Sequence, residues 1–343
     1  MLSEPQIVQL REVLATAKNP LFLYDGDGDG LTAFLLLYRI HREGKGLALT
    51  TSKNLDDIGL RKVKEWDPDV IFILDIPTVS QEFLDAVQRP VFWLDHHPPL
   101  QRQNVHYFNP RIKDPGAYVP TSRMAWQVSQ KEEDLWIAAA GSLADFSIPD
   151  FLETFIARHP TFLDQRYELP VMLFQKPVGH LVKLFFFLQK GPAPEVRKSL
   201  RVLLHIASPE EIFQQTTPAG KYLYKRFQHL NSLYETLLNE AKKQVTRSKL
   251  VLFHYQEDRW SFTTNLANEL SGMYPQKYIL IARKKSGEVK CSLRGNEVLR
   301  YLQQVLAEVP ATGGGHPYAC GAVVPEASWE QFVELLREVL KHA

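Results

Sequence analysis

The chain has 343 residues, 45% of them hydrophobic and 23% charged, with a formal net charge of +1. That length and composition allow two buried cores, and the charge balance excludes a strongly cationic protein that coats duplex nucleic acid. The two cysteines, Cys291 and Cys320, lack metal-ligand spacing and read as small core residues of a protein from a reducing compartment.

Residues 5–17 repeat apolar side chains (Ile7, Val8, Leu10, Val13, Leu14) at helical spacing. Apolar strands at 21–24, 47–50, 70–74 and 91–94 then alternate with helical stretches at 31–41, 57–65 and 80–87, the pattern of a parallel sheet covered by helices. In such sheets ligands bind beyond the carboxyl ends of the strands. The first strand runs into Asp25-Gly-Asp27-Gly-Asp29-Gly30. On extended backbone these three aspartates project to one side, and Gly30 marks the junction with a buried helix. Like charges at this spacing repel by about 1 kcal/mol per pair in water and several-fold more in a dry cleft, so a cation is called for. A calcium loop of the EF-hand kind needs a glutamate at its twelfth position, where Leu36 stands. A solvated acidic turn is the bland alternative.

Two further strands end in the same chemistry. The strand at 70–74 meets Asp75, and that at 91–94 meets Asp95-His96-His97, after which Pro98 and Pro99 fix a loop. A long loop leads to helices near 121–130 and 134–146. The second carries small residues, Ala138 to Ser142, that permit close backbone approach while presenting Asp145.

Residues 150–245 read as helices separated by Pro and Gly turns, with no legible chemistry; the phenylalanines at 185–187 fit a packed helix face better than a base-stacking platform. The longest apolar run, Leu181 to Leu188, is short and interrupted by Lys183, and no signal peptide opens the sequence. A soluble, cytoplasmic protein with no membrane partner is expected. A second α/β unit starts near Lys249: strand 250–255, helix 264–272, strands 278–283 and 288–293 around Ser286-Gly287, and a helix near 297–308. Lys290, Ser292 and Arg294 share a strand face expected to point outward. In Gly313-Gly314-Gly315-His316-Pro317 successive free N–H groups can cup an anion, the alternative being a plain glycine turn. The expected fold class is α/β: a doubly wound, mainly parallel sheet at 1–160, a helical connector at 161–247 and a smaller α/β domain at 248–343.

Asp95-His96-His97 resembles the signature of the DHH phosphoesterase superfamily, and Gly313-Gly-Gly-His316 resembles that of its C-terminal DHHA1 domain. With Asp25–Gly30, Asp75 and Asp145 in order, the chain is similar over nearly its whole length to the group of RecJ-type exonucleases and nanoRNases. The resemblance implies that Asp27 and Asp75 hold one metal ion while Asp29, Asp75, His96 and Asp145 hold a second. Many members begin the first motif with histidine where this chain has Asp25, although RecJ-like proteins also use aspartate, so direct ligation by Asp25 stays open. His97 would touch the scissile phosphate, with Asp95 orienting a neighbouring imidazole. Mixed carboxylate and imidazole donors suit manganese, with magnesium or cobalt as substitutes, and a bridged ion pair can activate water against a phosphodiester. Arg294, Ser292, Gly313, Gly314, Gly315 and His316 would hold substrate phosphates.

The implied activity is a manganese-dependent exonuclease on single-stranded or short DNA or RNA that releases mononucleotides. The alternatives are a nanoRNase or a linear or cyclic dinucleotide phosphodiesterase, and a scaffold associated with replication or repair proteins. RecJ-type enzymes add an oligonucleotide-binding barrel, for which Gly321 to Ala343 leaves no room, so short strands are the expected substrates.

Overall fold

The computed structural model describes residues 1–49, 55–256 and 260–341. The chain forms two compact units, Met1–Gln189 with Arg197–Tyr224, and Lys190–Val196 with Lys225–Ala343. The expected connector, 161–247, is therefore divided between the two units. In the first unit, helix Pro177–Leu188 stacks Phe185 on Trp136, ring centroids 5.7 Å apart, and Phe187 is fully buried. In the second, residues 225–242 of helix Pro218–Lys242 set Tyr234 against Phe262. Among the described residues no single helix is long and apolar enough to cross a membrane.

The apolar runs of the first unit form β1 (Leu21–Asp25), β2 (Lys45–Leu49), β3 (Ile71–Leu74), β4 (Val91–Leu94) and β5 (His106–Phe108). All pair in parallel, in the order β2-β1-β3-β4-β5. Thr50, the expected end of the second strand, lies outside the described residues, and β5 falls where a loop was expected. The three central strands are buried on both faces, as continuous apolar runs require, while the edges are more polar and exposed. On one face Phe22, Phe72 and Phe92 sit in register, with successive centroids 5.0 and 5.6 Å apart. On the other, Leu23, Ile73 and Trp93 belong to the core shared with Val63, Phe83 and Val87. Asp25, Asp75, Asp95 and Asn109 consequently occupy equivalent places at the carboxyl edge, following or ending strands whose last pairs are Tyr24, Leu74, Leu94 and Phe108.

The helix after β1 spans Gly28–His41, three residues earlier than expected, with Asp27 as its N-cap accepting from the Gly30 amide at 2.9 Å. Asp25, Asp27 and Asp29 thus do not share one extended run: the first ends a strand, the second caps a helix and the third lies in its first turn. Close packing forces this start. A Cβ on Gly30 would lie 2.5 Å from the Asp25 carbonyl oxygen, and one on Gly28 would lie 2.6 Å from Ala144 Cβ. The helices Thr121–Ser129 and Leu135–Ala144 complete the packing, and a Cβ on Gly141 would lie 2.1 Å from Thr32 Oγ1 and 2.6 Å from Ser122 Cβ.

The second unit contains β6 (Leu250–Tyr255), β7 (Tyr278–Lys285), β8 (Glu288–Arg294), β9 (Thr312–His316) and β10 (Ala319–Pro325), in the order β6-β7-β8-β10-β9 with only β6 and β7 parallel. Helices Val298–Leu306 and Trp329–Lys341 bury Leu302, Val305, Phe332 and Leu336 against the sheet together with Cys291 and Cys320. Two expectations are corrected here. The glycine motif is an exposed edge strand whose backbone pairs with β10, so its successive N–H groups are not all free. Gly315, at φ +146°, has its Cβ position 2.3 Å from the Ala319 oxygen, a place no other residue fits. The outward polar face of β8 is also absent: Lys290 is exposed, but Ser292 is buried beneath helix Thr263–Met273, its hydroxyl 3.4 Å from Thr264 Oγ1.

Gly141→Ala is expected to destabilise the first unit by about 1–3 kcal/mol through overpacking. Gly314→Ala, where an added Cβ meets nothing within 4 Å, should change stability by less than about 0.5 kcal/mol. Denaturant unfolding of both variants beside the parent checks the contrast; equal losses would mean the close approach of the first-unit helices is not what limits them.

Candidate metal centre

Seven acidic and imidazole side chains converge beyond β1, β3 and β4. Their donor atoms fall into three groups, Asp25/Asp27/Asp75, Asp75/His96/His97 and Asp29/His96/Asp145, within each of which all lie within 4.8 Å of one another. The strand order reverses between β1 and β3, and this cluster sits at that switch point, where the crevice of an open α/β sheet forms.

Each side chain is held by its local structure. Asp29 is buried and takes the main-chain amides of Thr121 (2.7 Å) and Ser122 (2.9 Å), two donors that a helix start leaves unpaired, as well as the Ser122 hydroxyl. The Thr121 hydroxyl donates to Asp75 Oδ1 at 3.0 Å, and His96 Nε2 lies 3.3 Å from the same oxygen. Asp75 has φ +62°, a left-handed conformation that aspartate tolerates better than most residues but that still carries strain. Asp145 caps the C-terminus of its helix. Asp27 is steadied from behind by Gln189, whose amide donates to the Asp27 main-chain oxygen at 2.5 Å.

Asp95 is fully buried and belongs to none of the three donor groups. It accepts from the His97 amide (3.1 Å), from Tyr107 Oη (3.3 Å) and from Asn109 Nδ2 (3.3 Å), and pairs with His97 Nδ1 at 2.8 Å. This fixes the His97 ring and leaves Nε2 as the nitrogen available to the cluster. Burial alone would lower the His97 pKa, but the Asp95 hydrogen bond and charge, backed by Asp27 and Asp25, hold it above the ordinary histidine value.

The carboxylates bear the cost of convergence. Burial, then the charge of Asp27, pushes Asp25 and Asp29 each up to about 7. Asp27 is raised by burial against the opposing Gly30 hydrogen bond, and Asp75 and Asp145 are raised well above the carboxylate range by burial and by the charge of Asp29. Asp145 Oδ2 is buried without a hydrogen-bond partner. Excess acceptors, crowded negative charge and two imidazoles form a donor set that fits divalent cations.

Asp25, Asp27, Asp29, Asp75, His96, His97 and Asp145 are thus brought together, with Asp95 behind them. Thr121, Ser122, Tyr107, Asn109 and Gln189 escaped the sequence reading. Only Pro120-Thr121-Ser122 carried a signal, that of a helix start. In the second unit a hollow of about 380 Å³ is lined by residues including Ser261, Thr264, Lys290, Ser292 and Gly313. Arg294 is not among its lining residues. Its Nε donates to Asn268 Oδ1 at 2.7 Å and its Nη1 to the Leu293 and Cys320 carbonyls, and burial lowers its pKa to about 10. His316 is exposed on β9.

Residues 251–342 match the family model of the DHHA1 domain. No curated protein matches the sequence. RecJ in complex with Mn2+ from Thermus thermophilus is similar over 98% of this chain with a TM-score of 0.71 at 17% identity, and the chain spans 54% of that protein's length. CDC45 from Entamoeba histolytica is similar over 98% of both chains (TM-score 0.55, 10% identity). A pGpG-specific phosphodiesterase, PggH from Vibrio cholerae, is similar over 95% of this chain and 99% of its own (TM-score 0.52, 15% identity). At these identities the likeness is one of fold.

The raised carboxyls predict a pH signature. Asp25 and Asp29 keep protons up to about pH 7 in the fold but release them near pH 4 when unfolded, so their contribution is complete below pH 4 and lost as the pH rises through 7. The metal-free protein should melt at progressively lower temperature from pH 5.5 to pH 8, and added Mn2+ should raise the melting temperature more at pH 8 than at pH 5.5. Calorimetry across that range checks it; a cation gain independent of pH would mean these carboxyls are not what the ion meets.

Proposed function

We propose that this chain, a member of the DHH/DHHA1 superfamily by its C-terminal domain and its overall fold, is a two-metal phosphodiesterase that releases mononucleotides from the ends of short single-stranded DNA or RNA. The observation that carries the reading is the set of three overlapping donor groups, in which Asp75 and His96 each belong to two. Side chains shared in this way suit ions close enough to act on one phosphate. Asp25, Asp27 and Asp75 are assigned to one ion, and Asp29, Asp75, His96 and Asp145 to the other. These residues would hold two divalent cations, manganese by preference of the donor set, which when bound would supply a water nucleophile at neutral pH and offset charge on the phosphate oxygens.

The chain's own residues do the rest. Thr121 and Ser122 hold Asp29, and Thr121 holds Asp75, so these carboxylates need no reorganisation when the phosphate arrives. His97, held through Nδ1 by Asp95, is assigned to a non-bridging phosphate oxygen and to the proton that the departing sugar oxygen takes up. A water oxygen bonds to phosphorus as the phosphorus bond to that sugar oxygen breaks. On the second unit by itself, Ser292 and Gly313, which line the hollow there, are assigned to phosphate binding. The fold similarity to a pGpG-specific phosphodiesterase favours a second reading, hydrolysis of linear dinucleotides at the same centre.

Incubation of the full chain with Mn2+ and end-labelled DNA and RNA of graded length, with products resolved by size, tests the reading. Mononucleotide ladders support the exonuclease, and products from dinucleotides alone support the second reading. Asp75→Ala should abolish turnover at any manganese concentration, as should chelation of the wild type. Asp95→Asn should lower activity by about 10- to 100-fold by loosening His97. Full activity in either variant would refute the assignment of these residues.

A further inference from the structure

Among the described residues, the exposed large hydrophobic side chains are Met1, Val8, Ile112, Tyr118, Phe146 and Tyr318. Two of them are attached to one residue of the metal centre. The Tyr118 hydroxyl donates to the main-chain oxygen of Asp145 at 3.0 Å, and its ring stands edge-on to His96 with centroids 5.3 Å apart, yet the residue is 56% exposed. Phe146 follows Asp145 directly and is 45% exposed. Its φ of +54° is a conformation that a bulky residue adopts only under constraint. The constraint is visible: the amides of Asp145, Phe146 and Ser147 turn back onto the carbonyls of Gly141, Leu143 and Ser142 at 3.2, 3.1 and 2.9 Å.

Neither ring contributes much to the core, and a glycine would serve the turn at 146 with less strain. What the arrangement does supply is one exposed aromatic ring held beside His96 and a second on the residue that follows Asp145. Aromatic faces held next to a phosphate-cutting centre fit a planar partner attached to that phosphate, and every nucleobase has such a face.

We propose that Tyr118 and Phe146 form an aromatic rim that stacks the nucleobase adjoining the phosphodiester being cut. The site then takes base-bearing strands of any sequence and discriminates against phosphate chains and sugar-phosphate ends without a base. This rests on the phosphodiesterase reading above and adds to it the part of the substrate that the metal centre does not read.

The test uses the full chain with Mn2+ and short oligonucleotides carrying either a normal nucleotide or an abasic tetrahydrofuran residue, placed at each end in turn. Wild type should favour the base-bearing end by about 5- to 150-fold in kcat/KM. Phe146→Ala and Tyr118→Ala should bring that ratio toward one, mainly through KM, while Tyr118→Phe, which keeps the ring but loses its hydrogen bond to Asp145, should lower it only in part. Phe146→Gly should lose the preference while melting at or above the wild-type temperature, which a structural role for the ring would not allow. Equal wild-type rates on both ends, or variants that slow both substrates in proportion, would overturn the proposal. Quenching of a terminal 2-aminopurine on binding reads the stack without turnover. Quenching that Phe146→Ala abolishes, in a protein that hydrolyses neither strand, would sustain the rim and refute the phosphodiesterase; absence of quenching in wild type would refute the rim.

Discussion

The centre depends on the parallel register of β1, β3 and β4. The phenylalanines of adjacent strands, Phe22, Phe72 and Phe92, are directly paired, and the strands terminate level with one another. Each aromatic pair adds about 0.5–1.5 kcal/mol beyond its buried area. The larger effect is on specificity. A slip of one residue would turn every core side chain of a strand to the opposite face, and would carry Asp75 or Asp95 away from its neighbours by the same step.

Against that framework stands the electrostatic cost of placing so many carboxylates together. The fold answers it with backbone dipoles: the start of helix Thr121–Ser129 takes Asp29, and the Gly30 amide takes Asp27. It does not answer it fully, since the Asp145 oxygen buried without a hydrogen bond, 3.6 Å from His96 Nδ1, and the positive φ of Asp75 both remain. Strain of this kind, on the order of 1–3 kcal/mol for one residue, persists only where surrounding packing over-determines the conformation. Here the packing is supplied by glycines, which bring helices within distances that a methyl group would exceed.

What the sequence disclosed and what it concealed follow from the range of each interaction. Continuous apolar runs announced β1, β3 and β4, and the acidic and imidazole residues after them announced the centre, because both signals are local. The early start of helix Gly28–His41 was hidden, since Gly28 and Gly30 argue against a helix and only the crowding of Asp25 and Ala144 makes them necessary. The strand His106–Phe108 is too short to show alternation, and its evidence is the β4 edge it joins. Tyr107 and Asn109, which hold Asp95, had no signal of their own because their role is defined by a partner more than ten residues away. Ser292 was misread for a related reason: strand alternation says which side a residue faces and not what covers that side.

The edge strand β9 has a consequence for how the protein survives at high concentration. Its run of glycines leaves an open row of backbone groups with almost no side-chain surface beside it. Strands join edge to edge through backbone pairing reinforced by packing of the side chains above and below, and glycine supplies none of the latter while losing the most freedom on being ordered. A border of this composition can keep its polar backbone accessible to a small anion without inviting a second protein molecule to extend the sheet, so accessibility is obtained without stickiness.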